Sequence, residues 1–183
     1  MNLTADEIER IAAQTLDHYE QHAQAFWQGT RDHDVSQNIA ALLQYIEAPA
    51  PFEILDFGCG PGRDLRTFKL LGHRATGLEG ASQLVAMART YSGCDVLQQN
   101  FLQLNLPGGQ FDGVFANAVL FHVPSQALPR VLADLFATLK PVACSSAQTR
   151  AATVKRAGTA TAMAPFTICP LGVVICQRPD SSN

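Results

Sequence analysis

The stretch Ile54-Leu55-Asp56-Phe57-Gly58-Cys59-Gly60-Pro61-Gly62-Arg63 constrains this chain more than any other, because an apolar run ends in one acid and then three spaced glycines. The apolar residues before Gly58 suit a buried parallel strand. Residues 61–71 carry Leu65, Phe68 and Leu71 at helical spacing and stop at Gly72. The loop therefore joins a strand to a helix. Without Cβ atoms, backbone turns tightly and approaches a ligand closely, and the free N–H groups that open the helix face that ligand.

The glycine spacing and the acid narrow the ligand. A dinucleotide fingerprint needs G-x-G-x-x-G after a strand, but Arg63 holds the place of its last glycine, and the pattern is G-x-G-x-G. A carboxylate at Asp56 would also sit near a pyrophosphate, where two unit charges at 4 Å interact by about 4 kcal/mol at an effective dielectric of about 20. It repels an anion and attracts a cation. At this point the sequence resembles the class I S-adenosylmethionine-dependent methyltransferases, whose first motif has this acid and glycine pattern. Their cofactor carries a sulfonium and an ammonium, which suits the sign of Asp56. The plain structural alternative is a glycine-rich turn with a capping acid.

The 183 residues amount to one domain, and 47% hydrophobic content is ample for a core. A net charge of −3 with no basic run leaves no electrostatic footprint for nucleic acid or an anionic membrane, so small neutral or cationic molecules are the expected partners. The first residues form neither a basic n-region nor an apolar h-region, and no apolar run reaches about 18 residues, so a cytoplasmic protein is expected. Five cysteines without a C-x-x-C pair argue against a disulfide scaffold and a zinc site, and no metal is expected. Cys59 reads as a small residue in a turn.

Along the chain, Thr4 offers a cap with acids in the first turn, and a helix is predicted to about residue 28 with Tyr19, Ala23 and Phe26 on one face. Residues 29–34 break the pattern, 36–46 resume it, and Pro49-Ala50-Pro51 ends it. A second strand is predicted over 75–78, followed by Glu79, 21 residues after Gly58. That spacing suits a carboxylate accepting from both ribose hydroxyls of a nucleoside. Ser82 is expected to cap the next helix. A third strand runs from Val96 and exits at Gln99-Asn100-Phe101, and a fourth covers 111–116 and ends in Asn117 and, further on, His122. Strand carboxyl ends are where open α/β sheets bind ligands. His122 is read as a general base or as a histidine packed under a loop. Leu128, Val131, Leu132, Leu135, Phe136 and Leu139 make a core-facing helical stripe.

These alternating patterns predict a Rossmann-like α/β domain over residues 1–141, a mostly parallel twisted sheet with helices on both faces. The resemblance implies S-adenosylmethionine as cofactor, S-adenosylhomocysteine as product, and methyl transfer to a small-molecule acceptor. It places Asp56, Gly58 and Gly60 at the methionine end, Glu79 at the ribose, Asn100 and Phe101 at the adenine, and Asn117 near the sulfur. Cys59 and Gly80 complete this cofactor-binding set. Phe101 reads equally as a core residue. N-terminal helices of the family lie across the pocket, so Trp27, Arg31 and His33 are substrate-side candidates, or else helix packing and a solvated loop.

Past Pro141 the family pattern of Gly-Gly, strand, helix and hairpin fails, and residues 142–183 run into a tract rich in Ala, Thr and Arg. One reading is a shifted frame: with one possible coding of Val-Ala-Cys-Ser, a single G added before it yields Gly-Gly-Val-Leu. The other is a genuine ending whose residues 167–169 and 172–176 form edge strands. An altered ending favours a cofactor-binding protein with little activity as the second functional reading. A nicotinamide-dependent oxidoreductase is the third, disfavoured by Arg63 and Asp56.

Overall fold

A computed structural model describes residues 3–141 and the backbone of one further strand, Val173–Ile175. The frame question over 142–183 and the edge strand expected at 167–169 lie outside the described residues.

The chain opens with α1 (Ala5–Thr30), kinked at His22, and α2 (Ser36–Tyr45). Thr4 and Glu7 cap α1 reciprocally: the Thr4 hydroxyl accepts the Glu7 N–H, and the Glu7 carboxylate accepts the Thr4 N–H. Then come β1 (Glu53–Phe57), α3 (Arg63–Leu70), β2 (Arg74–Glu79), α4 (Ser82–Ser92), β3 (Asp95–Gln98) and β4 (Gly113–Ala116). A short 3-10 turn (Leu120–His122) leads to α5 (Leu128–Ala137), and β5 (Val173–Ile175) closes the described sheet. The order is β3-β2-β1-β4-β5, with β1 to β4 parallel and β5 antiparallel to β4. The expected Rossmann-like α/β architecture is therefore present.

Strand alternation divides the core between the two faces. Leu55 and Phe57 of β1 point one way, into a cluster with Val114, Val131, Leu135 and Leu139 beneath α5. Ile54 points the other way, against Ile39 and Leu42 of α2 and Phe68 of α3. Asp56 follows Ile54 by two residues and so shares its face, at the carboxyl end of the strand. A third cluster of Leu65, Val85, Ala88 and Val96 seats α3 and α4 on the sheet.

Two boundaries differ from expectation. The helix after the glycine loop begins at Arg63, because the chain through Gly62 is still turning. Ser82 does not cap α4 with its side chain: Glu20 of α1 receives both the Ser82 hydroxyl and the Gln83 N–H, the latter at 3.2 Å. A carboxylate from another helix thus serves the N-terminus that a local cap would have served.

Candidate functional site

The strand order reverses between β1 and β4: β2 lies on one side of β1 and β4 on the other. Such a switch point opens a crevice at the strand carboxyl ends, and the glycine loop lies there. Its first turn is fixed by the Gly58 and Cys59 N–H groups, which both donate to the Leu78 carbonyl, at 2.8 and 3.1 Å. Gly58 has φ of 73°, and a Cβ there would fall 2.2 Å from Cγ2 of Val119. Only glycine lets the loop pass this close to the segment after β4. Gly60, at φ of 52°, would place a Cβ 3.3 Å from Phe26 of α1, inside the space the helix roofs.

Two buried carboxylates flank the loop. Glu79 accepts three backbone N–H groups: Gly80 and Ala81 on Oε1 at 2.8 and 3.1 Å, and Gly60 on Oε2 at 3.0 Å. Burial still pushes its carboxyl above the usual range, against those three donors. Asp56 is less well served. Its Oδ2 is buried and has no hydrogen-bond partner among the described residues. Burial drives its carboxyl well up, and the neighbouring Asp64 carboxylate adds to this; Arg63 opposes it and Glu79 reinforces it. Arg63 is itself committed, to Asp64 at 2.7 Å and to the Thr30 carbonyl at the end of α1 at 2.7 Å.

Above the loop, α1 roofs a cavity that is partly open to solvent. Of the residues singled out in the sequence, Gly58, Gly60, Glu79, Asn100, Phe101 and His122 line it. Asp56, Cys59 and Gly80 stand around this lining: Cys59 is buried in the loop with its thiol pushed up by burial, and Gly80 serves Glu79. The Asn100 side-chain Oδ1 accepts the Leu102 N–H at 2.9 Å, so the amide's position is fixed. The Phe101 ring sits 4.5 Å from that of Phe57, so one residue both lines the cavity and joins the core.

The other four candidates lie elsewhere. Asn117 is not part of the cavity lining; its Oδ1 accepts from Asn38 of α2 at 2.8 Å. Trp27 stacks edge-on against Tyr91 of α4 at 4.7 Å, in an outer groove. Arg31 pairs with Asp32 in solvent at 3.2 Å, and His33 is exposed.

Sequence reasoning missed the part of the roof that matters. Tyr19, Leu16 and Thr15 of α1 line the cavity, and the Tyr19 hydroxyl lies 3.0 Å from Nε2 of His122. The helical face bearing Tyr19 and Phe26 was legible, but not what it would cover. Val119, in the segment between Asn117 and His122, closes on Gly58.

Residues 54–142 match the family described as a methyltransferase domain. Over this span, just under half of the chain, the sequence is similar to that family. The match starts within β1 and ends just past α5, the span that carries the loop, Glu79 and His122. The chain is 33% identical over 109 residues to a ubiquinone biosynthesis O-methyltransferase of Xanthomonas axonopodis, a match covering 54% of this chain and 44% of that protein. It is 30% identical over 122 residues to 24-methylenesterol C-methyltransferase 2 of Oryza sativa, covering 62% and 32%. The chain therefore matches less than half the length of these two relatives. Among solved structures, the 1,6-didemethyltoxoflavin-N1-methyltransferase of Burkholderia thailandensis superposes with a TM-score of 0.61 at 23% identity, over 77% of this chain and 62% of that one. The magnesium protoporphyrin IX methyltransferase of Synechocystis does so at 0.58 and 19%, over 76% and 74%. Both show that the chain has the fold of those enzymes. Among the described residues no helix is long and apolar enough to cross a membrane.

Proposed function

We propose that this chain binds S-adenosylmethionine at the β1–β4 switch point and transfers its methyl group to a small-molecule acceptor. The observation that carries the reading is the buried, unpartnered Oδ2 of Asp56 beside the glycine loop. A buried carboxylate oxygen without a partner is costly, and a ligand cation is the natural group to satisfy it. Asp56 with Gly58 and Gly60 would hold the methionine end, Glu79 the ribose and Asn100 with Phe101 the adenine. Oε2 of Glu79 accepts only one N–H and so retains acceptor capacity for a hydroxyl. The curated relatives named above are themselves methyltransferases, of O and C acceptors.

When bound, the cofactor supplies an activated sulfonium methyl. The tasks left to the chain are to orient donor and acceptor, exclude water and take up a proton. The roof formed by α1 serves exclusion, and the apolar lining contributed by Ala12, Leu16 and Phe26 fits an acceptor of mixed or apolar character. Arg63 stands where a dinucleotide site has its third glycine and is held in an ion pair, which disfavours NAD.

Thermal melts with each ligand test this. S-adenosylhomocysteine at 100 times its dissociation constant is expected to raise stability by about 2.7 kcal/mol, an upward shift of roughly 5–10 °C, while NAD leaves the melt unchanged. Stabilisation by NAD alone overturns the reading. A binding protein with little turnover is the second reading, favoured because the family match ends at residue 142, where the sequence pattern departs. Binding without transfer to any acceptor would select it.

A further inference from the structure

The cavity wall opposite the glycine loop holds a polar pair that no part of cofactor binding requires. Tyr19 comes from α1 and His122 from the turn after β4, 103 residues apart, yet hydroxyl and ring nitrogen meet at 3.0 Å with the rings edge to face at 5.3 Å. Both line the cavity and both are partly buried. Leu16, Phe26, Val119 and Val123 give the lining near them its apolar part; the Thr15 hydroxyl donates to the Ile11 carbonyl and the Glu79 carboxylate accepts three backbone N–H groups, so Tyr19 and His122 are the pair placed to hand a proton on.

We propose that Tyr19 and His122 form a proton relay on the acceptor side of the cavity, which selects acceptors whose reacting oxygen or nitrogen still carries a hydrogen. This rests on the reading of the cavity as a methyl-transfer site. Tyr19 is then a catalytic residue touching the acceptor, and His122 is a positioning and proton-accepting residue acting through it.

The geometry sets the direction of the relay. Burial, with help from His18 on α1, holds His122 below the ordinary imidazole value of 6.5, so the ring is neutral near pH 7 and Nε2 is free to accept. Burial, with the Glu79 carboxylate, holds the Tyr19 phenol above 10.0, so it keeps its proton and donates it to Nε2. These are the titratable groups that act on the pair, His18 on His122 and Glu79 on Tyr19. The phenol oxygen keeps acceptor capacity for a hydrogen arriving from the cavity. In the transfer step the acceptor heteroatom bonds to the methyl carbon and the methyl–sulfur bond breaks, its electron pair remaining on sulfur. The acceptor's hydrogen passes as a proton to Tyr19 Oη while the Tyr19 proton passes to His122 Nε2. The products are methylated acceptor, thioether and an imidazolium that solvent later neutralises. An acceptor that is already an anion has no use for this pair.

The test uses the full chain with labelled S-adenosylmethionine and three probes, catechol, benzylamine and benzoate. Transfer to catechol or benzylamine but not to benzoate is expected. General-base groups contribute typically 10²- to 10⁴-fold, and a relay partly replaced by water should lose about ten- to a hundredfold in kcat. Tyr19→Phe and His122→Asn are each expected to lose that much, with S-adenosylhomocysteine affinity held within about twofold. The wild-type profile should rise with pH through one ionisation below neutrality, and that limb should vanish in His122→Asn. As a readout apart from turnover, the ¹⁵N resonance of His122 Nε2 should move in Tyr19→Phe toward an unbonded nitrogen. Methylation of benzoate alone, or a Tyr19→Phe variant with wild-type kcat and pH profile, overturns the proposal. Binding of S-adenosylhomocysteine without transfer to either protic probe overturns this proposal alone. Failure of the wild-type chain to bind S-adenosylhomocysteine overturns the cofactor reading, and the relay with it.

Discussion

Asp56→Asn is expected to weaken S-adenosylhomocysteine binding by roughly 10²- to 10⁴-fold while making the unliganded chain more stable. Both effects come from one buried oxygen. Asn is nearly the same shape, so the variant keeps the packing at the end of β1 and removes only the charge. Losing one member of a buried ion pair costs about 3–5 kcal/mol, at 1.36 kcal/mol per tenfold, which gives the binding effect. Without ligand, the same carboxylate is buried beside Asp64 and Glu79 with its Oδ2 unpaired, and that is a destabilising arrangement. Relief of even 1 kcal/mol would raise the melting temperature by about 2–4 °C for a chain of this size. Calorimetry for affinity and thermal melts at pH 8 check the two halves. An Asn variant that binds as wild type, or that melts lower without ligand, contradicts the role given to Asp56.

The same residue fixes the sign of a pH dependence. In the unfolded chain an aspartate titrates near 3.8, while in the fold the Asp56 carboxyl titrates well above that, as Glu79 does above its ordinary 4.5. Between those values the folded state binds more protons than the unfolded one, so stability falls as pH rises through the window and levels off above the folded values. The contribution of Asp56 and Glu79 is thus stabilising on acidification through that window, the reverse of the usual salt-bridged carboxylate. A bound cation lowers the Asp56 carboxyl again, so ligand binding within the window should release protons. Calorimetric heats that differ between two buffers of unlike ionisation enthalpy would register them, and Asp56→Asn should abolish most of the difference.

Much of this arrangement was legible because it is local in sequence. Asp56 and the three glycines sit within seven residues and Glu79 lies at a spacing that the βαβ unit fixes; in the structure Glu79 lines the cavity and Asp56 stands near the end of β1, just before the loop. The parallel sheet followed from alternating apolar runs, since strand and helix periods differ. What stayed hidden depends on how α1 lies over the sheet. One face of α1 carries Tyr19, Ala23 and Phe26, but the sequence does not say which partner that face meets, and the Tyr19–His122 contact spans 103 residues. Trp27 is only a few residues further along, yet it is turned toward α4 and Tyr91. Asn117 was placed at the site by strand position and by the family resemblance; its partner Asn38, on α2, comes from a helix whose orientation no local pattern sets.

Gly58→Ala carries the largest expected loss of stability, because two separate penalties meet at that residue. A non-glycine residue in the left-handed region costs about 1–2 kcal/mol, and φ at Gly58 is 73°. The new methyl would also lie 2.2 Å from Val119 Cγ2 and 2.8 Å from its Cβ, a branched side chain that is itself buried. Overpacking of that kind costs about 1–3 kcal/mol. Together they give a loss of about 2–5 kcal/mol, or roughly 5–20 °C in melting temperature. Gly72 supplies the control: its φ is 86° but nothing lies within 4 Å of an added Cβ, so Gly72→Ala should incur the conformational part alone and leave ligand binding intact. Val119→Ala in the Gly58→Ala background removes the closest overlap, at Cγ2, and leaves the 2.8 Å approach to Cβ and the backbone strain, so a double-mutant cycle on urea unfolding should show a favourable coupling of about 1–2 kcal/mol. If the cycle is additive, Val119 does not press on the loop. The close approach that shapes the floor of the cavity would then have to come from some other contact.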